Sequence, residues 1–257
     1  MGPVPRAVTP WMWCAATARW RACASLSGVC WRMGDYVIFT LAAPMGGFGG
    51  PAGHERRGGT HWPARSALLG LVGAALGVRR DDRAGQGALR RWQTAVSILS
   101  ESHPLQDFHT AQTVPTANIK RPATRRAALT ALKPTDNATL SRRDYRTDCA
   151  FGVALWGGED PQAVADALNA PQFTPYMGRK SCPFAAPMAA RVVVAEAVPE
   201  ALASITPPPW MTAVTPRQII SDAPLEGGWS ETQSAEPIDR DLWHFGLHQL
   251  HVTGPRG

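Results

Sequence analysis

The sequence predicts an α+β fold with the ferredoxin-like, RRM-like order strand, helix, strand, strand, helix, strand. Three observations carry that prediction. Apolar runs of strand length alternate with periodic segments of helix length in that order. A long basic excursion interrupts the series between the middle strands. A chain of 257 residues, 44% hydrophobic and 18% charged, has enough apolar content to bury a sizeable core.

The first strand is expected at Tyr36–Leu41, an apolar run rich in β-branched and aromatic residues. A glycine-rich loop follows from Pro44 to Pro51. Pro63 suits the first turn of a helix through Ala67–Leu76, and Gly77 suits its end. Leu68, Leu69, Val72, Ala75 and Leu76 fall on one face of that helix, and Gly70 and Gly73 permit close packing on a sheet. A short helix is expected near Gln86–Arg91, a strand near Thr94–Leu99, and a second short strand ending at Phe108-His109-Thr110. Residues 111–140 lack an apolar period and contain Pro115, Pro122 and Pro134. Loops that long are usually functional or disordered. Arg142–Trp156 returns as a strand that becomes fully apolar, and Asp160-Pro161 starts a helix through Val164 and Leu168. A strand at Val192–Val194, a helix at Glu200–Ile205 and one late strand near Leu242–Val252 complete the series. The expected units are an N-terminal extension at 1–32, a ferredoxin-like domain at 33–190 and a smaller, irregular β-rich region at 191–257.

Residues 1–32 look foreign to the rest. They hold four of the ten Trp and three of the five Cys, and Met33-Gly34-Asp35 stands directly before the first strand. Arg19 and Arg21 interrupt any secretory apolar core, and Cys14, Cys23 and Cys30 lack metal-finger spacing. We expect Met33 to be the native start and 1–32 to be a non-native or disordered extension. The alternative is a genuine extension that docks elsewhere, and the mass of the native N-terminal peptide separates the two. No run of about 18 uncharged apolar residues occurs, so no membrane partner is expected. Five cysteines at irregular spacing do not read as a disulfide framework, which points to a reducing cytoplasm.

The net charge is +6 and unevenly spread. Residues 109–150 carry eight basic and three acidic groups; residues 151–257 carry six basic and eleven acidic groups. Such a basic island suits a polyanion or a solvated face. Arg outnumbers Lys 23 to 3, which suits bidentate phosphate contacts but also follows from a GC-rich genome.

Several groups are candidates for that polyanion. Gly46 and Gly47 open a loop whose amides could cradle phosphate or could simply connect two elements; no Walker or dinucleotide pattern accompanies them. Arg65 lies in the first turn of the expected helix, where free N–H groups and the helix dipole favour phosphate, and Arg56 and Arg57 lie just upstream. Tyr176 with Arg179-Lys180 suits a stacked base and its phosphate, or else a packed ring and two exposed cations. Metal ligands are not expected, because no HExxH, CxxC or His-x-His pair occurs. His109, Tyr145 and Lys120 are residue types that metal-independent RNA cleavage uses, though their spacing is loose. Cys149 and Cys182 read as buried apolar groups.

Six blocks then occur in a recognisable order: Leu41–Met45, Pro63–Gly77, Arg80-Asp81-Asp82, Asp107–Thr110, Asp144–Phe151 and Thr174–Pro183. Together they resemble the CasD family, the Cas-five repeat-associated (RAMP) subunits of type I-E CRISPR Cascade, from about Met33 to about Pro187. The resemblance implies a ferredoxin-like RAMP domain with a basic β-hairpin thumb at about 109–143. Arg125, Arg126, Arg142 and Arg143 would lie in that thumb with Lys120. It implies a non-catalytic subunit without cofactor that caps the 5′ handle of the CRISPR RNA. The expected partners are that RNA, the large subunit CasA and the backbone subunit CasC. Target DNA would be met only indirectly, its sequence read by guide pairing. A metal-independent endoribonuclease acting on CRISPR precursor RNA is the alternative. The C-terminal part departs most from the family, with Arg240, His244, His248 and His251 where an Arg-rich end is expected.

Overall fold

Tyr36 to Ala43 form an unbroken buried stretch inside the first strand, β1 (Gly34–Gly46), because both faces of that strand are covered. In this computed structural model, which describes residues 34–49, 55–211 and 216–254, Val37, Phe39, Leu41 and Ala43 point into the larger core. Tyr36 and Ile38 point to the other side, against a smaller cluster with Val198, Ala201 and Leu202. A continuous apolar run is what a strand buried on both faces requires.

The elements follow as β2 (Arg56–Arg57), α1 (Arg65–Leu76), α2 (Arg83–Leu89), β3 (Gln93–Ile98), β4 (His103–Gln112), α3 (Arg125–Leu129), β5 (Ala138–Trp156), α4 (Pro161–Asn169), β6 (Arg191–Ala195), α5 (Val198–Ala203), β7 (Ile219–Ser221), β8 (Trp229–Asp239) and β9 (His244–Thr253). One large sheet runs β6-β1-β5-β3-β7-β9-β8, with β2 and β4 also paired to β5. All its pairings are antiparallel except β2 with β5. The four strands β6-β1-β5-β3, with α1 and α4 packed over β1's larger-core face, have the split βαβ order that the sequence pattern predicts.

Local chemistry sets the element ends. Asp160 accepts a hydrogen bond from the Ala163 amide and starts α4 ahead of Pro161. Gly77, at φ 77°, ends α1 in the left-handed conformation. Pro63 lies ahead of the helix, not in its first turn, since Ala64 is the N-cap. Leu76 is exposed and Leu71 buried in its place, because α1 is packed by more than the sheet. A Cβ on Gly73 would stand 2.8 Å from Leu89 of α2, so that glycine serves a helix–helix contact and not the sheet contact expected.

Two regions differ from the sequence reading. The excursion is narrower than 111–140, since β4 runs on to Gln112, β5 begins at Ala138, and the five-residue α3 lies between them under a Thr124 cap. Beyond Pro207 the chain contributes three strands, β7, β8 and β9, where one was expected. β8 escaped because Pro237 and its charged residues argue against a strand, but β8 is the outer edge of the sheet, where proline is tolerated.

Cys149 and Cys182 are free and buried as expected. Burial pushes the Cys149 thiol up to about 11, so it is a packing group and not a nucleophile. Cys14, Cys23, Cys30 and Met33, with the expectation for 1–32, lie outside the described residues. Among the described residues no helix is long and apolar enough to cross a membrane.

Candidate nucleic-acid interface

The two-residue strand β2 organises the candidate site. Arg56 lies in register with Arg142 and Arg57 with Arg143, and the Arg142 amide donates to the Glu55 carbonyl at 2.7 Å. Successive side chains on a strand point to opposite faces. One face of the ribbon made by β4 and β5 therefore carries Arg56, Arg142 and Phe108, which pairs with Arg142 in register. Phe108 is 59% exposed, and the Arg142 guanidinium lies 5.8 Å from its ring centroid. The other face carries Arg57, Arg143, Tyr145 and His109.

Asp144 offsets part of this charge. It accepts from the Gln106 amide at 3.1 Å and from Arg56 at 3.2 Å. Those hydrogen bonds, with the Arg56 and Arg179 charges, hold its carboxyl below the usual range against slight burial. Asp107 stands across from Arg143 in register. Arg57, Arg142 and Arg143 make no ion pair among the described residues, so the patch keeps a positive excess.

Tyr145 is buried, with the Arg179 guanidinium 4.4 Å from its ring centroid. Burial raises the Tyr145 hydroxyl, but hydrogen bonds from Arg179 and Ser181 and the Arg179 charge outweigh it and leave it below its ordinary value. Tyr176 is 36% exposed and Lys180 is exposed, in a turn closed by Met177 N to Cys182 O at 2.8 Å and Cys182 N to Arg179 O at 2.9 Å.

Two expectations need correction. Arg65 is buried, with only 6% of its side chain exposed, and is not a phosphate ligand. Its Nε donates to Glu236 at 2.7 Å, Nη1 to the Trp92 carbonyl at 2.5 Å and to Asp222 at 2.6 Å, and Nη2 to the Arg90 carbonyl at 2.7 Å. His248 joins the cluster through Asp222 at 2.7 Å. Arg65 thus ties α1 to the C-terminal strands. Gly46 and Gly47 do not form an open amide cradle. Gly46 is the last residue of β1, opposite Arg146, and the Gly47 amide donates to the Met177 carbonyl at 3.1 Å. Their lack of side chain serves close approach, since a Cβ on Gly47 would stand 3.0 Å from the Arg179 side chain. His109 and Tyr145, two of the residue types that RNA cleavage uses, are not neighbours. His109 pairs with Ser141, four residues from Tyr145 along β5, which is about 13 Å at strand spacing.

Lys120, Arg125 and Arg126 lie in the excursion between β4 and β5, away from the β2–β5 register. Arg125 donates to the Gln112 carbonyl at the end of β4, and Arg126 is on α3. The sequence reading did not single out Phe108 or the β2–β5 pairing. Phe108 was visible only as one residue of a short strand, and a two-residue strand leaves no periodic signal.

A family described as "CRISPR-associated protein (Cas_Cas5)" matches residues 36–245, most of the chain. The chain belongs to the Cas5 family. This Cas5 chain is 31% identical over 175 residues to the CRISPR system Cascade subunit CasD of Escherichia coli, a match covering 61% of this chain and 70% of that protein. Its structure is similar to a chain of a CRISPR RNA-guided surveillance complex, with a TM-score of 0.63 and 25% identity over 84% of this chain and 88% of that one. A Cas protein crystal structure shares the fold, with a TM-score of 0.56 and 19% identity over 86% of this chain and 98% of that one. The Cas5 chain's turn block depends on Gly178, at φ 80°, where a Cβ would meet the Gly47 carbonyl at 2.3 Å. Gly178→Ala is expected to cost at least about 1–3 kcal/mol from the left-handed backbone alone, read as a lower urea midpoint. An unchanged midpoint would contradict that packing.

Proposed function

We propose that this Cas5-family chain is a non-catalytic RNA-binding subunit of a type I-E CRISPR surveillance complex. It caps the 5′ handle of the CRISPR RNA and joins a CasA-like large subunit to a CasC-like backbone, for antiviral defence. The observation that carries the reading is the register of Arg56 and Arg57 on Arg142 and Arg143 beside the exposed ring of Phe108. Arginines around a planar ring suit single-stranded RNA, whose phosphates take guanidinium forks and whose unstacked bases take aromatic faces. The likeness to CasD and to a surveillance-complex chain supports the same assignment.

The endoribonuclease alternative needs a base and a charge stabiliser within hydrogen-bond reach of one phosphate. The spacing of His109 and Tyr145 along the ribbon does not favour it.

Assembly tests the proposal. Co-expressed with the other subunits and a repeat-spacer RNA, the chain is expected to co-purify with the backbone subunit and with RNA whose handle is intact. Removing the handle is expected to release the chain. Reversing the charge at Arg125 and Arg126 together is expected to weaken that assembly and flatten its salt dependence by about 0.7 for each phosphate no longer neutralised. Co-purification indifferent to the handle would overturn the reading.

A further inference from the structure

Residues 111–140 carry five cations, Lys120, Arg121, Arg125, Arg126 and Lys133, and a single carboxylate, that of Asp136. Charge alone would set that carboxylate against one of the cations. Asp136 nevertheless makes no ion pair among the described residues. Amides occupy it instead. Its Oδ2 accepts from the Asn118 side-chain amide at 2.6 Å and from the Lys133 backbone amide at 2.8 Å. Its backbone carbonyl accepts from the Gln112 side-chain amide at 3.3 Å, and its own amide donates to the Lys133 carbonyl at 3.0 Å. One half-buried residue therefore ties together the end of β4, the stretch that follows it and the turn that leads into β5.

The rest of the excursion is fastened to the same points. Pro134 takes the second position of the Lys133–Asp136 turn, where its fixed φ suits the backbone. The Asn118 amide closes a second turn onto the Pro115 carbonyl at 2.9 Å. Gln112 pairs with Ala138 in the sheet, and its carbonyl accepts from Arg125, which brings α3 to the foot of the ribbon. Thr124 caps α3, and Ala128 within it is buried. A charged segment without an apolar period is disordered unless something other than a core fixes it. Here the hydrogen bonds that converge on Asp136 supply that constraint.

We propose that Asp136 is the positioning residue of the basic excursion. It holds residues 112–137 in one shape before any partner arrives and presents Lys120, Arg125 and Arg126 as a fixed set. The proposal rests on the RNA-binding reading above for what those cations meet, and on the hydrogen bonds for how they are placed. A preformed set avoids the ordering cost that a loose segment incurs on binding.

Placement and charge can be separated at this residue. Both bonds to the side chain end on Oδ2. An asparagine whose carbonyl oxygen takes that place keeps both bonds and removes the charge, whereas alanine removes both bonds and charge.

The test compares the full chain with its D136A and D136N variants under limited trypsin digestion, with the cut sites mapped by mass. D136A is expected to be cut after Lys120, Arg125 and Arg126 at least about tenfold faster, since bonds to a carboxylate are strong and cleavage tracks the opened population. D136N is expected to be cut there at the rate of the unsubstituted chain. Cutting after Arg191 and Arg217, outside the excursion, is expected to be the same in all three. Anisotropy of a short fluorescein-labelled single-stranded RNA gives the second readout. D136A is expected to bind about three- to tenfold more weakly with an unchanged salt slope, because its cations remain, and D136N no more weakly than the unsubstituted chain. Equal cutting of D136A and the unsubstituted chain, or of D136A and D136N, would overturn the proposal. So would tighter RNA binding by both variants, which would make Asp136 a repelling charge, and faster cutting of D136A at Arg191 and Arg217 as well, which would make the loss global. The expected trypsin pattern with no RNA binding by any of the three would overturn the RNA-binding reading and leave the Asp136 ties standing.

Discussion

Arg65→Ala is expected to lower the stability of the chain by about 3–5 kcal/mol while leaving the RNA affinity of the folded fraction unchanged. The side chains of Arg65 and Asp222 are 6% and 5% exposed, and that of Glu236 is 18% exposed. Removing the guanidinium takes from Asp222 and Glu236 their most buried cation and leaves them to His248 and Arg90 in a site with little water. It also orphans the carbonyls of Arg90 and Trp92, which accept from Arg65. Such a loss is a large share of the roughly 5–15 kcal/mol that holds a domain folded. The check is a urea titration, with RNA binding measured on the same sample below the transition. A variant that keeps its stability but loses RNA would return Arg65 to the phosphate role that its place at the helix start suggests.

The second large effect is expected at the ribbon. Arg57→Glu with Arg142→Glu reverses two cations on opposite faces of the β2–β5 pair. Neither makes an ion pair among the described residues. Stability is therefore expected to change little, as for surface substitutions generally. Binding to single-stranded RNA is expected to fall by about tenfold or more near 0.1 M salt, and the salt slope to flatten by about 0.7 for each phosphate that the variant ceases to neutralise. Phe108→Ala is expected to weaken binding at every salt concentration without changing the slope, because stacking releases no counterions. An effect of Phe108→Ala on slope alone would contradict that division of roles.

The helical and central strand elements were legible in the sequence because their signals are local. The run from Tyr36, the Gly77 stop of α1 and the Asp160 cap of α4 each act within a few residues. The order of those elements was enough to give the ferredoxin-like arrangement. β8 was not legible, because its permission to hold Pro237 comes from lying at the sheet edge, which no local pattern states. The candidate site was legible as residue types but not as partnerships. Arg65 and Arg57 read alike in the sequence, as cations near a helix start. Only the fold brings Asp222 and Glu236, more than 150 positions away, onto Arg65 and leaves Arg57 beside Arg143. Gly46 and Gly47 read in the sequence as a phosphate cradle or a plain connection, and what packs against them is the turn block at Met177 and Arg179.

The most direct test of a non-catalytic, handle-binding subunit is the length and identity of the RNA that the chain retains. The full chain is mixed in chelator with end-labelled repeat RNA and with the same RNA carrying a permuted handle. Bound RNA is recovered and run on a denaturing gel. Full-length RNA, enriched for the native handle, is the expected result. A single clean cut, abolished by His109→Ala or Tyr145→Ala, would mean that this chain processes its own RNA and would contradict the central claim.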